Sequence, residues 1–221
     1  MNRAKRNSLR GAMLCCHGSA EGHTAPDEIA LQASINFAGI ECFGEKASGS
    51  GRGLLKASCS RQAKAPYCES DGDAELLLCI PFTADVRLKS LCVSAGTAAG
   101  TCPLRVKLFC NSHHDIGEAA EAAATQELTL TTPDEAAELW HSLKIAKFNN
   151  CSKLQLYFSG RLGQPEGAEG PDIRLYYVGL RAEAFTPRVG VVKAVYESRA
   201  QLSDHKAAEG GLGGASSAGM M

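Results

Sequence analysis

Apolar residues in the middle of this chain recur at every second position, in short runs separated by turn-forming residues. Successive side chains of a β-strand point to opposite faces, so this period predicts half-buried antiparallel strands. About eight runs without an intervening amphipathic helix predict an all-β sandwich or barrel, because a parallel α/β sheet needs crossover helices. The runs are 76–80, 86–93, 104–110, 128–130, 141–145, 154–158, 173–177 and 189–195.

Two segments between these runs are interpreted as loops. Residues 118–124 read Glu-Ala-Ala-Glu-Ala-Ala-Ala, which has high helix propensity but no apolar face to bury. They are therefore expected to form a single turn within a loop. Residues 160–172 are rich in Gly, Pro and Glu and are interpreted as the loop of a hairpin that joins two neighbouring strands.

The two ends of the chain differ from its centre. Residues 1–30 lack an apolar period and are interpreted as a disordered basic tail, with an organelle-targeting segment as the alternative. Residues 207–221 are rich in Gly, Ala and Ser and predict a flexible tail. The sequence therefore predicts one domain over residues 31–206.

Composition restricts the classes of partner. A formal net charge of −1 gives no indication of a nucleic-acid partner, and the chain has no apolar stretch long enough to span a membrane. Several of the ten cysteines lie in strand-like runs, where a thiol behaves as a small hydrophobic group, so free thiols in a reducing compartment are expected. We therefore expect a monomer in the cytoplasm, with the nucleus as a second location.

One arginine stands in a glycine-rich segment, Gly49-Ser50-Gly51-Arg52-Gly53. The segment is not a phosphate-binding P-loop, since that motif needs Gly-Lys-Ser/Thr at the start of a helix. One hypothesis is that Arg52 is held out by the glycines to contact a carboxylate or phosphate of a partner. The alternative is a solvated arginine in a connecting segment.

Four carboxylates alternate ahead of a predicted strand, at Glu69, Asp71, Asp73 and Glu75. They lack the order of ligands of a calcium-binding EF-hand loop. The alternation favours one common face, either as a solvated edge that blunts strand pairing or as a patch that steers a basic partner. Glu69, Asp71 and Asp73 are taken, with Arg52, as candidate partner-binding residues.

Motifs of catalysis and metal binding are missing from the sequence. It contains neither Gly-x-Ser-x-Gly nor His-Glu-x-x-His. Cys15, Cys16, His17 and His23 are metal-ligand types, but adjacent cysteines do not easily occupy two corners of a tetrahedral site. We expect no catalytic residue, no cofactor and no metal site.

A series of short segments over residues 35–205 resembles a known family in order and spacing. The segments are Ser50-Gly51-Arg52-Gly53, 69–77, Ile80-Pro81-Phe82-Thr83, 86–91, Pro103, 106–109, Asn111, Lys147-Phe148-Asn149, 154–158, 177–181, Val195-Tyr196-Glu197 and Asp204-His205. They are similar to the PITH domain, the proteasome-interacting thioredoxin-associated module. The resemblance implies a jelly-roll β-sandwich similar to galactose-binding-like domains.

The same resemblance implies a non-catalytic protein-interaction module whose candidate partner is the regulatory particle of the 26S proteasome. Proteasome association is best attached to members that also carry a thioredoxin domain. This chain has no Cys-x-x-Cys, so thiol–disulfide exchange does not carry over. The alternative function is binding of a small polar ligand or sugar at the loop end of the sandwich.

Overall fold

The computed structural model of the protein describes residues 31–165 and 169–184. These residues form eight strands: β1 (Glu41–Phe43), β2 (Cys68–Glu69), β3 (Glu75–Ala95), β4 (Pro103–Cys110), β5 (Gln126–Thr129), β6 (Trp140–Ser142), β7 (Cys151–Arg161) and β8 (Arg174–Ala184). Residues 31–34 are helical, and a second helix, α1, spans Ile116–Glu121. Turns of 3₁₀ helix lie at Phe37–Gly39, Ser50–Leu54, Ser58–Ser60 and Ile145–Lys147. Both predicted tails, the run at 189–195 and the group from Cys15 to His23 fall outside the described residues.

Strand β3 belongs to two layers of antiparallel strands. Its first part, 75–81, pairs with β1 on one side and β7 on the other, and β7 continues to β4 and β5. Its second part, 86–95, pairs with β6 and β8, and β8 continues to β2. The pairing with β7 shifts register between Pro81 and Val86, where the two parts meet. The strands therefore form a β-sandwich whose first and second layers share β3.

The main core lies between these layers. Strand β3 places Leu76, Leu78 and Ile80 in this core, and its second part adds Leu88 and Leu91. The intervening Leu77 and Cys79 belong to a separate cluster. This alternation is the period of two that the sequence shows, and it confirms the prediction of an all-β fold with about eight antiparallel strands.

Two details of the prediction were wrong. The runs 76–80 and 86–93 are not separate strands but parts of the single strand β3. Residues 160–172 do not close a hairpin, because β7 and β8 each pair with β3 and not with each other. This connection instead carries the chain from the first layer to the second.

The alanine-rich segment is also more structured than predicted. Helix α1 begins after Asp115, whose carboxylate accepts a hydrogen bond from the backbone N–H of Glu118. Ala119 is fully buried in a cluster with Leu77, Phe109 and Tyr157 on the outer side of the first layer. The small face of α1 is apolar enough to cover these side chains. No helix among the described residues is long and apolar enough to cross a membrane.

Candidate functional site

The loop after β1 is organised by the carboxylate of Glu45. It accepts hydrogen bonds from the backbone N–H groups of Gly49 and Gly51, the latter at 2.8 Å, and from the Ser50 hydroxyl at 2.9 Å. A Cβ atom at Gly51 would lie 2.4 Å from the Cβ of Cys42, so this position accepts only glycine without a shift of the backbone. The glycines therefore allow the loop to close tightly around one carboxylate.

Arg52 is exposed but held against its own chain. Its Nε donates to the carbonyl of Ile40 at 3.0 Å, and its Nη2 donates to the carbonyl of Ala38 at 3.2 Å. The guanidinium thus joins the 3₁₀ turn that contains Arg52 to the preceding turn at Phe37–Gly39. The sequence pointed to Arg52 as a partner contact, and the structure adds a positioning role that the glycine pattern did not reveal.

Two phenylalanines are exposed in the segment 37–43, whose backbone carbonyls accept the hydrogen bonds of Arg52. Phe37 begins the turn that Arg52 holds, and Phe43 lines a shallow concavity together with Arg52, Ile40 and Glu41. These two residues remain 42% and 44% exposed. We call this the Phe37–Phe43–Arg52 surface. Aromatic and arginine side chains are the types most enriched at protein interfaces.

Sequence reasoning missed Phe37 and Phe43 for a structural reason. Strand β1 has three residues, and only its pairing with β3 shows that Cys42 turns inward while Glu41 and Phe43 face solvent. A run this short has no readable period, so the exposure of Phe43 carries no signal in the sequence.

The acidic segment lies against the same loop. The backbone N–H of Asp71 donates to the Gly44 carbonyl at 3.0 Å, and that of Lys46 donates to the Glu69 carbonyl at 2.9 Å. The structure therefore brings the candidate residues Glu69 and Asp71 to the loop that carries Arg52, whereas Asp73 lines a different concavity with Glu75 and Arg105.

The four carboxylates of this segment do not form one flat face. Glu69 accepts a hydrogen bond from Arg174 at 2.7 Å, which offsets its charge and raises the pKa of Arg174. The chain bends over residues 71–74, and Asp71 and Asp73 are exposed on either side of Gly72. These two remain as acidic groups that face solvent.

Beneath the loop, two cysteines meet the Glu45 carboxylate. The Sγ atoms of Cys42 and Cys68 are 4.0 Å apart, and the Sγ of Cys68 is 4.0 Å from Oε2 of Glu45. Cys68 is buried and Cys42 is partly buried. A hydrogen bond with Cys68 and burial raise the pKa of Cys42. The two cysteines are 26 residues apart, so no short spacing in the sequence points to this cluster.

The family model and the relatives that match this chain share one domain. A PITH domain model matches residues 21–200. A PITH domain-containing protein of Drosophila melanogaster is 36% identical over 197 residues, covering 87% of this chain and 89% of the relative. PITH domain-containing protein 1 of Dictyostelium discoideum is 33% identical, covering 86% and 92%. That of Homo sapiens is 30% identical, covering 86% and 89%.

Solved structures with a related arrangement of strands are more distant. A family 32 CBM from C. perfringens NanJ, in complex with galactose, has a TM-score of 0.45 at 9% identity, covering 70% of this chain and 97% of the module. A fucose binding module of Streptococcus pneumoniae has a TM-score of 0.42 at 10% identity, covering 66% and 93%. With both scores below 0.5, the architecture rests on the strand pairing given above.

Proposed function

The chain belongs to the PITH domain family, and from this membership we propose that it is a non-catalytic protein-interaction module that binds its partner through the Phe37–Phe43–Arg52 surface. The relatives are named for the domain and not for an enzymatic activity. The observation that carries the proposal is the exposure of two phenylalanines beside an arginine whose position is fixed by two hydrogen bonds.

The surface has the physical character of an interface anchor. Binding energy concentrates in a few aromatic and arginine residues that lose water when the partner arrives. Arg52 is ordered before binding, since its guanidinium already bonds two carbonyls, and an ordered side chain costs less entropy when it is captured. Asp71, whose backbone N–H bonds the Gly44 carbonyl of the same loop, would supply an acidic group at the rim.

The candidate partner is the regulatory particle of the 26S proteasome, as the family resemblance implies. The surface favours a partner site that combines an apolar pocket for Phe43 with a basic group opposite Asp71. On this proposal the protein works in the cytoplasm and, as a second location, the nucleus.

The test is capture of tagged full-length protein from extract of its own cells, with bound proteins identified by mass spectrometry. We expect proteasome regulatory subunits in stoichiometric amounts. Phe37→Ser and Phe43→Ser are each expected to lower capture by about tenfold, the effect of removing one strong interface residue.

Matched controls are Leu139→Ser and Ile145→Ser, whose side chains are 43% and 47% exposed outside this surface. Capture that is unchanged by Phe43→Ser but reduced by Ile145→Ser would move the interface elsewhere. Recovery of stoichiometric proteins other than proteasome subunits would retain the interaction function and reject the proposed partner.

Arg52→Ala is expected to differ from the phenylalanine variants. It removes two hydrogen bonds that tie the loop to residues 38–40, so it should lower both capture and the melting temperature. Phe43→Ser should lower capture alone. A variant Arg52→Ala that retains full capture would remove Arg52 from the binding surface.

A second candidate function, binding of a small polar ligand, has one observation in its favour. A concavity at the end of the first layer is lined by Glu75, Arg105, Lys107, Tyr157 and Arg161. However, Lys107 and Arg161 donate to carbonyls of the chain itself, and Tyr157 is buried. Calorimetric titration with monosaccharides tests this candidate, and saturable heat abolished by Arg105→Ala would favour it over the protein partner.

A further inference from the structure

Independently of the partner surface, we propose that Cys42, Glu45 and Cys68 bind a thiophilic divalent cation of the Zn²⁺ class. One ligand atom from each residue lies within 4.8 Å of the other two. Cys42 in β1 and Glu45 in the following loop are close in sequence, and Cys68 comes from β2, so a bound ion would join two segments that are distant in sequence.

The distances are close to those of a tetrahedral site. Zinc binds thiolate sulfur at about 2.3 Å and carboxylate oxygen at roughly 2.0–2.2 Å, which places two sulfurs of one site roughly 3.8 Å apart. The Sγ atoms of Cys42 and Cys68 are 4.0 Å apart, so a rotation of side chains suffices to bring them to an ion. Three protein ligands leave a fourth position for water or a donor from a bound molecule.

The ligand types select the class of ion. Two thiols with one carboxylate suit Zn²⁺ and similar transition metals, whereas Ca²⁺ and Mg²⁺ require oxygen ligands. Because Cys68 lies 26 residues from Cys42 and 23 residues from Glu45 in the sequence, the fold itself assembles the donor set.

Electrostatics of the cluster also favour a cation. Negative charge on the two sulfurs would add to that of the Glu45 carboxylate, which lies 4.0 Å from the Cys68 sulfur, and like charges this close repel each other. A divalent cation reverses this, stabilises both thiolates and releases their protons to solvent. Metal uptake is therefore expected to release protons and to weaken as the pH falls.

Hydrogen bonds around Glu45 orient its carboxylate, in the way that hydrogen bonds from neighbouring groups orient the ligands of a metal site. The N–H groups of Gly49 and Gly51 fix its orientation, and the Ser50 hydroxyl can rotate away to free a lone pair on Oε2. The loop that holds Arg52 on the outside thus holds a metal ligand on the inside.

The test is a titration of the reduced full-length protein with Co²⁺, which gives a thiolate-to-metal charge-transfer band, followed by displacement with Zn²⁺. We expect one ion per chain with thiolate ligation. Cys42→Ser and Cys68→Ser are each expected to lower the affinity by at least about tenfold. Glu45→Gln, which retains a hydrogen-bond acceptor, is expected to weaken binding in the same direction.

The controls address the other thiols of the chain. Cys59→Ser, at an exposed site, and the double variant Cys15→Ser/Cys16→Ser should bind Co²⁺ like the wild type. A charge-transfer band that persists in Cys42→Ser and disappears in the double variant would overturn the proposal, as would absence of any band in the wild type.

Two further measurements separate ligation from folding and from the partner surface. Zinc X-ray absorption should show two sulfur neighbours at about 2.3 Å. The far-ultraviolet circular dichroism of metal-free Cys68→Ser should match that of the metal-free wild type. Phe43→Ser should bind the ion normally, so failure of the metal site and failure of the interaction surface give different results.

Discussion

At the scale of single residues, Glu45 and Arg52 stabilise the same loop by bonding different backbone groups. The carboxylate of Glu45 accepts hydrogen bonds from the backbone N–H groups of Gly49 and Gly51. The guanidinium of Arg52 donates hydrogen bonds to the carbonyls of Ala38 and Ile40. Together they give partners to backbone groups that no strand ladder serves. The loop is thereby fixed without strand pairing, and both charged side chains are in place before any ligand arrives.

His141 gives a prediction about pH. It lies in β6, and its burial lowers its pKa, an effect that the charge of Asp134 partly opposes. Between this lowered value and the ordinary value of about 6.5, the unfolded chain binds a proton that the folded chain does not. The free energy of unfolding therefore falls as the pH falls below about 6.5.

The check is chemical denaturation of the wild type and of His141→Gln at several pH values between about 8 and 5. Glutamine does not titrate, so the variant should lose part of the decline in stability that the wild type shows in acid. Parallel curves for the two proteins would mean that the burial of His141 does not shift its proton equilibrium.

At the scale of elements, helix α1 depends on its first turn. Asp115 accepts from the N–H of Glu118 at 2.7 Å, and the carboxylate of Glu118 accepts from the N–H of Asp115 at 3.3 Å. These two hydrogen bonds give acceptors to N–H groups at the start of the six-residue helix, where the helix itself provides none. The cap thereby holds Ala119 over the outer cluster of the first layer.

Asp115→Ala is expected to lower the free energy of unfolding by about 1 kcal/mol, since it removes the cap acceptor. Asp115→Asn should retain most of the stability, because asparagine is also a good N-cap residue. Urea denaturation measures both. Equal losses in the two variants would assign the effect to the charge of Asp115 and not to its hydrogen bond.

Sequence patterns predicted the elements unevenly, for physical reasons. Strands β4 and β7 were predictable because Val106 and Leu156 belong to runs that alternate without a break. The continuity of β3 was not, because Pro81 and Asp85 interrupt the apolar period at the bulge. Helix α1 was underestimated because the side chains that bury Ala119 come from other strands.

At the scale of the whole molecule, β3 makes the two layers one folding unit. Leu78 pairs within the first layer, Leu91 pairs within the second, and both are fully buried in the same core. Because both parts of β3 place side chains in one core, disorder in either part removes core contacts from both layers. We expect the domain to unfold in a single cooperative transition.

Leu78→Ala and Leu91→Ala are each expected to cost about 2–5 kcal/mol, the usual range for such a truncation in a core. Unfolding is followed in urea by the fluorescence of Trp140, the single tryptophan of the chain, which reports on β6, and by circular dichroism, which reports on both layers. The two curves should coincide in each variant. Curves that separate in Leu78→Ala but not in Leu91→Ala would show that the second layer holds together alone.

The candidate sites differ in how much the sequence reveals. Arg52 and the acidic positions stand out locally, because charge and glycine pattern are properties of neighbouring residues. The approach of Cys42 to Cys68 and the exposure of Phe43 depend on which strands pair. Strand pairing joins residues that are far apart in the chain, so the pattern of a few neighbouring residues does not reveal it.

The sharing of β3 also determines where this protein can tolerate changes in length. Side chains along a strand alternate between faces, so one residue inserted within 75–81 would exchange the side chains on the two faces of the first layer's part of the strand. An insertion within 86–95 would do the same in the second layer. The described residues of the connection after β7, 162–165 and 169–173, belong to no strand, so insertions there are expected to leave both registers intact. Lineages that lengthen this domain are therefore expected to do so at that crossing, while the spacing along β3 stays fixed.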